Sequence, residues 1–182
     1  GHALSGVSPE RSSPPIHRID MDTVSNYFSA ERTESLVFIT VGLLALLASA
    51  ACVIVLRKPL FNGMALTLTV VAVLQLIVGI TIYQRSPQDT ARVQQMLQSA
   101  PKRIQSEEVP RMQVVMRNFR IYLGVEVVLL ILALLVIPFA APGGFLRGAA
   151  IGLALQAVFT AVLDLVATRR GEAYLNWLLS QP

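Results

Sequence analysis

The 182-residue chain carries one cysteine, Cys52, and two histidines, His2 and His17. A lone thiol excludes an internal disulfide framework and any multi-cysteine metal or iron–sulfur centre. Both histidines precede the first apolar run, which excludes bis-histidine haem, copper or histidine–zinc chemistry within the apolar segments. Charge is scarce too: Asp, Glu, Lys and Arg make up 14% of residues, against about 25% in soluble domains. That is too few to cover a globule of this size. With 54% hydrophobic residues and a mean hydropathy of +0.60, much of the chain has lipid for its solvent.

Several catalytic signatures are missing. Gly143-Gly144 runs into Phe145-Leu146-Arg147 instead of the Gly-Lys-Ser/Thr of a phosphate-cradling loop. No Gly-x-Ser-x-Gly elbow or His-Glu-x-x-His pair occurs, and no histidine is placed for acid–base work. An intramembrane aspartyl protease needs aspartates on two facing spans, and only Asp164 lies in one. Glu107-Glu108 reads as the acidic start of a helix, since no further ligands stand near it. The expectation is a non-enzymatic chain with no cofactor and no metal.

What is present is four long apolar runs. Residues 36–56 (LVFITVGLLALLASAACVIVL) contain no charge and suffice, at about 1.5 Å per residue, to cross a hydrocarbon layer ~30 Å thick. Residues 60–84 form the second span, after Pro59 and before Arg85, with Tyr83 at an interfacial position. The third covers 121–141, with Glu126 as its only charge, and Pro142-Gly143-Gly144 ends it. The fourth, 145–167, includes Arg147 and Asp164 and closes at Arg169-Arg170. A cleaved signal peptide is the rival reading of the first span, because Ala48-Ser49-Ala50 imitates a cleavage site; its length and the lack of a net positive flank argue against that. The fold class expected is therefore all-α: a polytopic four-transmembrane-helix bundle.

Residues 1–20 are Ser-, Pro- and Gly-containing, lack an initial Met and precede Met21, so they read as an added or disordered tail. In 21–35, Val24, Tyr27 and Phe28 suit a short interfacial amphipathic helix before Ser29 restarts the chain; in 169–182, Tyr174, Leu175, Trp177 and Leu178 suit another. Residues 86–120 are the one sizeable polar stretch between spans. Ser86-Pro87 reads as N-cap and N1, Pro101 as a kink, and Glu107-Glu108 as the next helix start. The result is a helical hairpin extending from the second and third spans. Its apolar stripes either pack on each other or dock a partner or lipid through Met96, Met112, Met116 and Phe119, with Lys102, Arg103 and Arg111 as a basic tip.

Counting Lys and Arg in the flanking segments orients the chain. Ten fall on the side of the termini and hairpin (Arg32, Arg85, Arg92, Lys102, Arg103, Arg111, Arg117, Arg120, Arg169, Arg170), and three on the other (Arg57, Lys58, Arg147). This bias puts both termini and the hairpin in the cytoplasm of a bacterial inner membrane, where anionic lipid is the expected electrostatic partner and nucleic acid is not.

Ionisable groups in a span are costly, which singles out Glu126 and Asp164. Both lie about 8–9 Å below the same boundary at the helical rise, so they can meet across the third and fourth helices. Gly148, Gly152, Gln156, Thr160 and Asp164 recur at i+4, as do Gly63, Thr67, Gln75, Gly79 and Tyr83 with one gap. Such stripes are faces on which membrane helices approach and hydrogen-bond. The packing reading pairs Gln75 with Gln156, and the carboxyls with Arg85, Arg120 or Tyr83; the transport reading makes a carboxyl bind and release a proton or cation. The layout resembles that of small four-span bacterial inner-membrane proteins. The function expected is binding of a protein partner, or of a second copy, by an accessory, regulatory or immunity-type subunit. The alternative is a small proton- or cation-coupled transporter or channel.

Overall fold

A computed structural model describes residues 15–181. It contains four long helices, α1 (Pro15–Ala51), α2 (Pro59–Ser99), α3 (Val109–Phe139) and α4 (Phe145–Leu179). A π-helical turn over Cys52–Leu56 prolongs α1, and another over Ile104–Glu108 leads into α3. No strand occurs among the described residues, and four helices are long and apolar enough to cross a membrane. The protein is an all-α, four-helix integral membrane protein.

Each helix is far longer than a bilayer requires. The 41 residues of α2 extend about 60 Å at the helical rise, twice the hydrocarbon thickness. The apolar halves of all four helices lie at one end of the bundle and the polar halves at the other, giving a membrane storey and an extramembrane storey. Turn chemistry fixes the first and last connections. Arg57 takes a left-handed conformation (φ 47°) and its N–H bonds to the Cys52 carbonyl, after which Pro59 opens α2 at its first turn. Gly143 (φ 75°) supplies the left-handed residue before α4, where a side chain would be strained.

Several expected breaks are absent. α1 runs without interruption through Ser29, so 21–35 is not a separate segment, and the helix already includes 15–20; the rest of the expected tail lies outside the described residues. Ser86 does not cap a helix: α2 continues through Pro87, and the Ser86 hydroxyl donates to Glu31 Oε2 at 3.0 Å. Pro101 terminates instead of kinking. α2 stops at Ser99, and the turn at Ala100-Pro101 moves Ile104 onto the second arm of the hairpin. α3 ends at Phe139, just short of the expected 141.

In the membrane storey α2 lies between α1 and α4, while α3 packs on α4 alone. Glycines set the α2–α4 contact. A Cβ at Gly148 would meet the Leu60 carbonyl oxygen at 1.7 Å, and one at Gly63 the Phe145 carbonyl oxygen at 1.9 Å. Only glycine allows these backbones to touch, as small-residue stripes do in membranes. Ser49 of α1 reaches Thr69 Oγ1 at 2.6 Å and the Ala65 carbonyl at 2.9 Å, tying α1 to α2.

The extramembrane storey holds the large apolar core. Val24, Tyr27 and Phe28 of α1, Val93, Met96 and Leu97 of α2, Ile104 and the α3 residues Val109, Met112 and Met116, and Tyr174 and Leu178 of α4 form one buried cluster. The amphipathic faces of both terminal segments are therefore turned into protein, in place of the expected bilayer interface. Covering a hairpin whose inner stripe is apolar removes that stripe from water.

Candidate functional site

The i+4 stripe of α4 presents Gln156, Thr160 and Asp164 toward the other helices, and all three are buried. Thr160 donates to the Gln156 carbonyl at 3.0 Å, and Thr168 to the Asp164 carbonyl at 2.7 Å, so these hydroxyls are satisfied within their own helix. Glu126 of α3 is half-buried next to Thr160 and within electrostatic reach of Asp164. The two intramembrane carboxyls thus share one level, as their depths predicted. Asp164 also feels Glu34 of α1. Gln75 of α2 is 3% exposed, with neither amide atom hydrogen-bonded, so the expected Gln75–Gln156 bond is not made. The parallel α2–α4 register, with Leu60 facing Gly148 and Met64 facing Gly152, continues to bring Gln75 level with the turn between Thr160 and Asp164.

No ion pair to Glu126 or Asp164 is found among the described residues. The arginines and tyrosine expected to neutralise them are used elsewhere or stand apart. Arg85 pairs with Glu31 at 3.3 Å and Asp89 at 3.1 Å. Tyr83 accepts a hydrogen bond from Arg32 Nη2 at 2.7 Å, and the same guanidinium lies 4.3 Å from the centre of its ring. Arg120 is exposed. One Glu126 oxygen, Oε2, is buried with no hydrogen-bond partner.

Immediately beyond the carboxyl level, Glu34 pairs with Arg170. The Arg170 guanidinium lies 5.4 Å from the Tyr27 ring centre, and Tyr27 stacks on Tyr174 at 4.0 Å. Farther out, Glu108 is fully buried and holds three charged hydrogen bonds: Arg111 Nη2 at 2.5 Å, Arg111 Nε at 2.9 Å and Arg92 Nη2 at 3.0 Å. Burial alone would pull the Arg111 guanidinium down, but the Glu108 bonds reverse this and hold it above its ordinary range. Burial likewise pushes the Tyr27 and Tyr174 hydroxyls up.

The residues expected to form a docking face are distributed differently. Met96, Met112 and Met116 are at most 3% exposed, and Phe119 packs against the same cluster. Of the basic tip, Arg103 forms a two-point pair with Glu107 (2.7 and 3.0 Å), Arg111 is committed to Glu108, and Lys102 is exposed. Sequence reasoning missed Glu31, Glu34, Arg92 and Arg170 as members of these networks. Two signals were available: Glu31 and Glu34 occupy one face just before the first span, and Glu108 precedes Arg111 by three residues.

Comparison with family models, curated proteins and solved structures gives no match.

Proposed function

We propose that the chain is a non-enzymatic protein of the bacterial inner membrane, both termini cytoplasmic, that binds a protein partner within the bilayer as an accessory, regulatory or immunity-type subunit. One observation carries this reading: Glu126 and Asp164 sit at one level in adjoining helices, and no ion pair to either is found among the described residues. An ionised group inside a span is costly, so two carboxyls near one another below the bilayer boundary create a standing demand for positive charge. A Lys or Arg on a partner's transmembrane helix meets that demand. The position of α3, packed on α4 alone, favours access from the side.

A second reading has its own support. Gln75, Gln156, Thr160, Asp164 and Thr168 are all buried on the packed faces of α2 and α4, forming a polar column from the middle of the span toward the boundary. Such a column suits a proton or small cation moving to and from the carboxyls.

One experiment separates the two. The full chain is purified from its native membrane in mild detergent, as the parent and as Glu126→Gln and Asp164→Asn, with mass spectrometry of co-purifying chains beside a liposome flux assay. The binding reading expects a stoichiometric membrane protein with a basic residue in a span, lost in both variants, and no flux from the pure parent. Robust flux from the pure parent, abolished by either substitution, overturns it in favour of transport.

A further inference from the structure

Where α3 passes from the extramembrane storey into its span, its outward face forms a shallow, open cleft lined by Pro110, Gln113, Val114, Arg117, Arg120 and Ile121. Met112 and Met116 occupy the opposite, core-facing side of the same turns. Arg117 and Arg120 are exposed, and no ion pair or hydrogen bond of either is found among the described residues. This sets them apart from Arg85, Arg92, Arg103, Arg111 and Arg170, each of which faces a carboxylate. Below the two arginines the same face continues as Ile121, Val125, Val128 and Leu132, each between 51% and 55% exposed.

Two guanidinium groups one turn apart match a phosphate, which accepts paired N–H bonds from arginine. Long arginine side chains at a span boundary reach the headgroup level while their stems stay on apolar surface. An apolar track leading from the phosphate position into the span suits an acyl chain. An acidic peptide in water has no use for that track.

We propose that Arg117 and Arg120 form a binding site for an anionic phospholipid, its headgroup phosphate between the two guanidinium groups and an acyl chain along Ile121, Val125, Val128 and Leu132. The expected lipid contact thereby moves from the tip of the hairpin, where Arg103 and Arg111 are neutralised, to its base.

The test uses the full chain in detergent micelles with native mass spectrometry. Phosphatidylglycerol and phosphatidylcholine of matched acyl chains are added separately to the parent, to R117Q/R120Q, to R117K/R120K and to R57Q/K58Q, whose changes lie at the opposite end of the spans. At about 1 kcal/mol for each basic residue near an anionic surface, the parent retains phosphatidylglycerol roughly tenfold or more over phosphatidylcholine. R117Q/R120Q loses that preference, the lysine pair keeps part of it, and R57Q/K58Q keeps it all. Soluble glycerol phosphate at equal concentration does not displace the lipid. Circular dichroism confirms that each variant stays helical; if R117Q/R120Q unfolds, the lysine pair and single Gln variants carry the comparison. An equal preference in R117Q/R120Q and parent, or none in the parent, overturns the proposal. Full displacement by glycerol phosphate overturns the acyl track. An acidic peptide that binds the parent but not R117Q/R120Q, with phosphatidylglycerol failing to compete, assigns the cleft to a protein instead.

Discussion

Replacing Glu108 tests whether the extramembrane storey is held by its buried charge cluster as well as by its apolar core. The side chain is fully buried, and its partners differ in exposure: the Arg111 side chain is 23% exposed and that of Arg92 36%. Removing one partner of a buried pair costs about 3–5 kcal/mol, because the charge left behind has lost its compensation. The Arg92 contribution is discounted for solvent screening to about 0–1 kcal/mol. Glu108→Ala is therefore expected to cost about 3–5 kcal/mol, Arg111→Ala a similar amount and Arg92→Ala about 1 or less. For a chain of this size each kcal/mol moves Tm by about 2–4 °C, so Glu108→Ala lowers it by roughly 6–20 °C. The single tryptophan, Trp177, packs on the core cluster, and its fluorescence in a detergent melt reports this storey directly. A compensated variant, Glu108→Leu with Arg111→Met, removes both charges together and is expected to recover most of the loss, since well-packed apolar replacements of buried pairs are often neutral. The reasoning is refuted if Glu108→Ala melts within about 2 °C of the parent, or if Arg92→Ala costs as much as Arg111→Ala.

Three further outcomes are expected. Met112 is fully buried, so Met112→Ala should cost about 2–5 kcal/mol in the same melt; a shift near zero would return its face to docking. In a Cys52→Ser background, a cysteine at the exposed Gln98 should react with membrane-impermeant maleimide only after cells are opened, and labelling of intact cells would reverse the orientation. The Arg103 hydrogen bond lowers Glu107 below its ordinary value of 4.5, so the pair's contribution is present above that pH and is lost as pH falls through the folded midpoint. Carbon NMR titration should find the Glu107 midpoint below 4.5 in the parent and closer to it in Arg103→Gln; an unchanged midpoint would remove the pair.

The four spans were legible because uncharged runs of this length have few other physical solutions. The carboxyl level was legible from depth arithmetic: Glu126 is six residues inside Arg120, and Asp164 five before Arg169. Partner choice was not legible. Arg85, Arg120 and Tyr83 lie at the same boundary, within side-chain reach of the carboxyls by sequence position, but Arg85 goes to Glu31 and Tyr83 to Arg32. Those choices depend on rotation about each helix axis and on which helices adjoin, neither of which hydropathy encodes. The hairpin turn was misplaced for a local reason. Val93, Met96, Leu97, Ala100 and Ile104 keep helical spacing across Pro101, so periodicity alone ran through the break. Pro87 misled in the opposite sense, since it sits inside α2 without ending it.

The two storeys divide the energetics unequally, and that division bears on function. The buried apolar cluster, the Glu108 arginine pair and the tyrosine stack all lie outside the spans. Of the most apolar stretches of the four helices, that of α3 has the smallest buried share and that of α4 the largest. Apolar burial between helices offers little driving force in lipid, where close packing and interhelical hydrogen bonds must supply it. The glycine contacts provide that packing for α2 and α4, whereas Gly124 of α3 faces open space. The span of α3 therefore rests on α4 alone, with Ala133 buried within it and the short Ala140–Gly144 connection joining the two helices. A helix with a single neighbour leaves most of its span facing outward, and it is the helix that carries Glu126. Glu34 beside Asp164, and Arg170 between Glu34 and Tyr27, continue from that level into the extramembrane core. Under the proposed binding reading, a cation arriving at Glu126 and Asp164 would lie next to the Glu34–Arg170 pair, whose guanidinium stands 5.4 Å from the centre of the Tyr27 ring.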